Sequence, residues 1–156
     1  HASIVRKNLD LTNIKSLGGN LWSSESLELM RDISSAKKTP KYSIMQSSNW
    51  HKNTDGAIMA CRKNNWEYNL IPPCQYEEFL RKLGKNEKFI FLPKTPETLS
   101  RIVVEARMMG MSVITNKLVG ATKEDWFSLK GQQLIELMND KRQEIPNMIE
   151  EIFLNE

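Results

Sequence analysis

Phe89-Ile90-Phe91-Leu92, then Pro93-Lys94-Thr95-Pro96, then Glu97-Thr98-Leu99-Ser100-Arg101-Ile102-Val103-Val104-Glu105-Ala106, decide the fold of this 156-residue chain. The first four residues are an uninterrupted apolar run, the pattern of a strand buried on both faces. Leu99, Ile102, Val103 and Ala106 repeat at helical spacing, which predicts a helix over about 99–109 ended by Gly110. Ser112-Val113-Ile114-Thr115 then reads as the next strand. The unit is strand, turn, helix, glycine, strand. One carboxylate, Glu97, falls in the turn, and a second, Glu105, follows after seven intervening residues, inside the helix.

Outward from this unit the alternation continues. Ser23 or Ser24 can cap a helix whose Leu29, Met30 and Ile33 form one stripe. Tyr42 to Met45 is a candidate strand, and Asn53 or Thr54 caps a helix running to about Asn64. Tyr68 to Ile71 is a strand cut off by Pro72-Pro73, and Tyr76 to Leu83 a short helix closed by Gly84. Strands alternating with helices at this spacing imply right-handed crossovers and a parallel sheet. The expected architecture is therefore a three-layer, Rossmann-like α/β domain. Gly131–Met138 and Ile145–Phe153 predict two amphipathic helices at the carboxyl terminus, with Pro146 in the first turn of the second. Residues 1–22 resist assignment and read as an amino-terminal segment or interdomain linker remnant before a single domain at 23–156, with His1 as a tag remnant.

Composition narrows the classes of function. Lysine and arginine number 22 against 19 acids, a net charge of +3. The signs alternate along the chain, without the basic stripe and interleaved aromatics of a nucleic-acid binder. No apolar run approaches the length of about 18 residues that spans a bilayer, and no signal peptide is visible. Cys61 and Cys74 have no metal or redox spacing, and Cys61 falls at helical intervals from Ala57 and Ile58 as a core thiol. These features fit the reducing cytoplasm.

Parallel sheets bind ligands beyond the carboxyl ends of their strands. The positions just past each expected strand hold His51 and Lys52, then Lys94, then Lys117 with Lys123 nearby. Cations thus collect where an anion would sit. Lys52 stands just before a helix start, where the macrodipole disfavours positive charge and a diphosphate would reverse the sign. The free amides at the start of the 99–109 helix suit the same anion. Glu105 cannot enter the apolar stripe and is expected on the side of Thr98 and Arg101. Two acids and an anion seat describe a site for a phosphorylated, sugar-like ligand. A plain helical ion pair of Arg101 with Glu105, and a capping role for Glu97, are the structural alternatives.

In these residues the chain resembles the carboxyl-terminal, donor-nucleotide-binding domain of GT-B-fold retaining glycosyltransferases, the group 1 or family 4-like enzymes. Their Glu-x7-Glu motif is matched by Leu92-Pro93, Glu97, Glu105-Ala106, Gly110 and Ser112-Val113-Ile114, and Asn116–Glu124 is similar to the loop that follows. The resemblance covers about residues 41–153. It implies a nucleotide-diphospho-sugar donor, Glu105 on the ribose hydroxyls, and Glu97 beside the donor sugar at the reaction centre. It also implies that the amides of Leu99, Ser100 and Arg101, with Thr98 beside them, hold the diphosphate. Lys52 matches the family's lysine, but Ser47 stands where the family has arginine. The sequence has no Asp-x-Asp pattern, so transfer without a metal ion is expected, with Lys52 in the metal's place.

Such an enzyme needs a second, amino-terminal domain for its acceptor, a saccharide or lipid-linked glycan. The chain then corresponds to a donor half, inactive alone, of a hexosyltransferase of surface polysaccharide or glycoconjugate synthesis, which could work at the inner face of the membrane. Base recognition would use the backbone around Ile71–Cys74. Tyr76 either stacks on a base or packs at a helix start, and Trp50, Trp66 and Trp126 either line a sugar site or pack at core and rim. The competing reading is a non-catalytic module binding a nucleotide or phosphosugar. A nicotinamide or flavin dehydrogenase would want a Gly-x-Gly-x-x-Gly turn after its first strand, and none is present.

Overall fold

A computed structural model describes residues 14–154, together with Arg6, Leu9 and Asp10; the expectation for His1 lies outside the described residues. Helix α1 (Ser24–Ser35) is followed by β1 (Thr39–Met45), a 3-10 turn (Trp50–Lys52), α2 (Thr54–Lys63) and β2 (Tyr68–Ile71). Then come α3 (Tyr76–Leu83), β3 (Asn86–Phe91), α4 (Arg101–Met108), β4 (Ser112–Thr115), two short 3-10 turns and α5 (Gln132–Leu154). The four strands form one parallel sheet in the order β2-β1-β3-β4. The fold is Rossmann-like, as the strand–helix alternation implies.

Side-chain alternation along the central strands separates two apolar layers. Phe89 and Phe91 face a large cluster that includes Leu27, Met30, Leu80, Val103, Met108, Leu134 and Ile135, contributed by α1, α3, α4 and α5. Ile90, Tyr42 and Ile44 face the opposite side, where Ala57 and Cys61 of α2 cover them. The buried Cys61 thiol is the core residue that its spacing predicts. Trp66 stacks on Tyr42 with ring centroids 4.6 Å apart, a packing role.

Local chemistry sets the element ends. Ser23 caps α1 by accepting from the Ser26 amide. Trp22 and Leu27 flank that cap at the spacing of a hydrophobic staple, and both are buried. Gly84 permits α1 and α3 to touch, since a Cβ there would lie 2.3 Å from Ile33 Cγ2. Gly110, at φ 79°, makes the turn from α4 into β4.

Two expectations are corrected. The carboxyl terminus is one helix, α5, and not two: Pro146 lies inside it rather than in a first turn. An interior proline costs about 3 kcal/mol. Buried Leu134, Ile135 and Met138 before it, and Ile145 beside it, anchor the helix against the core. Helix α4 starts at Arg101 instead of about residue 99, because Ser100 takes a left-handed conformation at φ 62°. Among the described residues no helix is long and apolar enough to cross a membrane.

Candidate functional site

The strand order changes direction between β1 and β3: the chain goes outward from β1 to β2, then crosses back to β3. Such a switch point opens a crevice beyond the carboxyl ends of the two strands. The loop after β1 carries Lys52 and the loop after β3 carries Glu97. Their side chains meet there, with Lys52 Nζ donating to Glu97 Oε1 at 2.6 Å. The ammonium also lies 5.6 Å from the centre of the Phe91 ring, at the end of β3.

Both loops are fixed by their own polar side chains. Thr54 Oγ1 donates to the Met45 carbonyl and accepts from the Ser47 amide. Asn49 accepts from the His51 amide, and Asn53, left-handed at φ 55°, donates through its side chain to the Leu92 carbonyl. Ser47, at the position of the family's arginine, accepts from the Asn49 amide and serves the turn locally. On the other side, the Glu97 amide donates to the Leu118 carbonyl, and the Glu97 carbonyl accepts from the Gly120 amide. Asn116 ties the same loops by donating to the Pro93 carbonyl at 2.8 Å. Glu97 therefore has a fixed backbone and a side chain at the rim.

Glu105 is held differently. The residue is only 3 % exposed, so the expectation that it stays outside the core is corrected. It lies on the Arg101 side of α4, as the spacing requires, but that side is covered. Trp22 Nε1 donates to its Oε1 at 3.0 Å and the Tyr76 hydroxyl donates to the same oxygen at 2.8 Å. The Arg101 guanidinium stands 3.6 Å from Oε1, above the Trp22 ring, and donates to the Leu21 carbonyl. Two hydrogen bonds and this ion pair converge on Oε1, and Oε2 takes none of these contacts. Burial and the adjacent carboxylate push the Tyr76 phenol up to about 12.

Between the two acids lies the start of α4. Ser100 occupies the cap position, yet its side chain makes no capping bond. It is 7 % exposed, and its hydroxyl has no hydrogen-bond partner. A left-handed, non-glycine backbone and an unsatisfied buried hydroxyl at the mouth of a helix each cost stability. The amides of Leu99, Ser100 and Arg101 find no backbone acceptor among the described residues. Thr98 is exposed and Leu99 half-buried. A second hydroxyl, Thr115 Oγ1 at the carboxyl end of β4, is likewise buried without a partner.

The remaining cations sit on the same edge. Lys94 lies 5.7 Å from the Trp50 ring, which stacks on His51 and is otherwise exposed. Lys117 and Lys123 are exposed. Trp126 is half-buried and donates to the Gly18 carbonyl, holding the segment before α1. Among the described residues no group of three or more His, Cys, Asp or Glu is placed to hold a metal ion. Trp22 is the participant that local patterning missed as a site residue. Its staple spacing marks it as buried, but nothing local pairs it with a carboxylate 83 positions away.

No family model matches this sequence, and no curated protein or solved structure matches it either.

Proposed function

We propose that this chain is the donor-binding domain of a retaining glycosyltransferase, which takes a nucleotide-diphospho-sugar along the crevice from Glu105 to Glu97. The observation that carries the reading is the asymmetric hold on Glu105. Two hydrogen bonds and an ion pair fix one carboxylate oxygen and leave the other to accept from the vicinal hydroxyls of a ribose. The resemblance of residues 41–153 to such domains supports the same assignment. Beside the ribose, the Leu99, Ser100 and Arg101 amides and the Ser100 hydroxyl donate to the diphosphate. Lys52 reaches the phosphate nearer the sugar, exchanging or sharing its bond to Glu97.

In transfer the bond between the sugar's anomeric carbon and the phosphate oxygen breaks through an oxocarbenium-like state, the acceptor's hydroxyl oxygen forms the new bond to that carbon, and the hydroxyl proton passes to the departing diphosphate. Negative charge grows on the departing diphosphate, and a fixed ammonium with oriented amides stabilises that growth by several kcal/mol. Glu97, freed from Lys52, faces the developing positive charge on the sugar. The acceptor, a saccharide or lipid-linked glycan, enters from an amino-terminal domain outside this chain. Lys52 carries the charge that a metal ion supplies elsewhere.

One observation favours the second reading, a non-catalytic nucleotide- or phosphosugar-binding module. Ser47 is spent on its own turn, so the leaving group has one cation from this loop where the resembling enzymes have two. The second reading, in its nucleotide-binding form, shares the prediction of nucleotide binding, and joining the domain to its upstream coding region and assaying sugar transfer separates the two. The shared prediction is tested by titrating the chain with UDP, GDP and CDP in the presence of a chelator. Binding of at least one is expected, and binding of none overturns the glycosyltransferase reading and the nucleotide-binding form of the second.

A further inference from the structure

Tyr76 combines two properties that ordinary packing does not require together. Its hydroxyl is anchored at 2.8 Å on a carboxylate that is itself 3 % exposed, yet Tyr76 is 42 % exposed. The backbone is also fixed, because Tyr76 opens α3 five residues after β2 ends. A ring pinned at both ends loses little freedom when something is laid against it.

Space is available beside it. Tyr76 and Gln75 form one end of an open groove of about 870 Å³ that runs along α3 to Lys82 and Lys85. The same hydroxyl bond sets the ring's position relative to the ligand, since Oε2, the oxygen left for a ribose, belongs to the carboxylate that the phenol holds. A nucleoside bound there carries its base alongside the tyrosine.

We propose that Tyr76 is the base-facing wall of the site, its ring stacking on the nucleobase while its hydroxyl holds Glu105 in register for the ribose. This rests on the nucleotide-binding reading above. Stacking on an aromatic ring is tolerant of base identity. Tyr76 therefore raises affinity for nucleosides as a class and leaves the choice among bases to the backbone of the Pro72–Gln75 loop.

The test compares wild type, Tyr76→Phe and Tyr76→Ala in titrations with UDP, GDP and ribose 5-phosphate, the last of which lacks a base. Phenylalanine keeps the ring and loses the bond to Glu105. It should weaken all three probes alike, by roughly three- to tenfold. Alanine removes the ring as well, so UDP and GDP should weaken by about a further tenfold, while ribose 5-phosphate falls no further than with phenylalanine. Equal affinities of the two variants for UDP and GDP would overturn the proposal. So would an alanine penalty as large for ribose 5-phosphate as for the nucleotides. If wild type binds neither UDP nor GDP, the nucleotide-binding reading fails and takes this proposal with it. If both nucleotides bind wild type, lose affinity in Glu105→Ala and bind both Tyr76 variants at the wild-type level, only the assignment of Tyr76 fails.

Discussion

Glu97 and Glu105 flank the start of one short helix and are secured in opposite ways. Glu97 sits at the rim with its side chain against a lysine on a neighbouring loop, while its backbone is bonded to the loop after β4. Glu105 is buried, with an indole, a phenol and a guanidinium gathered at one oxygen. A carboxylate facing a flexible ammonium can change partners when a ligand arrives. A carboxylate clamped by groups from three parts of the chain cannot, and its geometry is set before binding. The contrast suits a reaction centre that must rearrange beside a recognition point that must not.

Substitutions at the two acids should sharpen that contrast. The largest effect is expected from Glu105→Ala, which leaves the Trp22 N–H and the Tyr76 hydroxyl buried without an acceptor. A loss of about 2–4 kcal/mol in urea unfolding is expected; a change near zero would mean the clamp contributes nothing. Trp22→Phe removes one of the two hydrogen bonds to Glu105 and keeps most of the apolar contact, so about 1–2 kcal/mol should go.

Alkaline titration comes next. The Tyr76 phenol is raised from 10.0 to about 12 in the folded chain. Between those values the unfolded chain has released the proton and the folded chain has kept it. The stabilisation is therefore whole below about pH 10 and declines as pH rises towards 12. Tyr76→Phe should flatten that decline in thermal unfolding measured across the window. An unchanged slope would place the titrating group elsewhere. The smallest effect on stability belongs to Lys52→Met, under about 1 kcal/mol, since the pair it breaks lies at a partly exposed rim. The same variant should weaken diphosphate binding about tenfold. Loss of stability without loss of binding would reverse the roles given to the two flanks.

What could be read from the sequence follows the range of the interactions involved. β2 and β4 begin and end where the sequence pattern places them, at Tyr68–Ile71 and Ser112–Thr115. β3 begins earlier than its apolar run, because Asn86 is buried in hydrogen bonds to Ser43 and Asn69 and Lys88 lies over the Tyr42 ring. Those partners come from other strands and leave no local trace. Pro146 misled for a related reason: locally it is a helix-start signal, whereas the helix is anchored by residues that precede it, Leu134, Ile135, Met138 and Ile145, buried against distant parts of the chain.

The site divides along the same line. That Lys52 and Glu97 would share an edge was legible from strand ends, and the fold brings them into contact. Glu105 was placed on the correct side of its helix but expected outside the core, since its donors Trp22 and Tyr76 lie 83 and 29 positions away. The strained backbone of Ser100 had no signal at all, because the position carries no glycine.

The most direct test of the account sets the tightest-binding of UDP, GDP and CDP against its 2′,3′-dideoxy counterpart, with wild type and Glu105→Gln. If Glu105 Oε2 receives the ribose hydroxyls, removing them should weaken wild type by about tenfold or more and the variant by much less. The same loss in both proteins would contradict the assignment of Glu105 and, with it, the crevice from Glu105 to Glu97 as the nucleotide site.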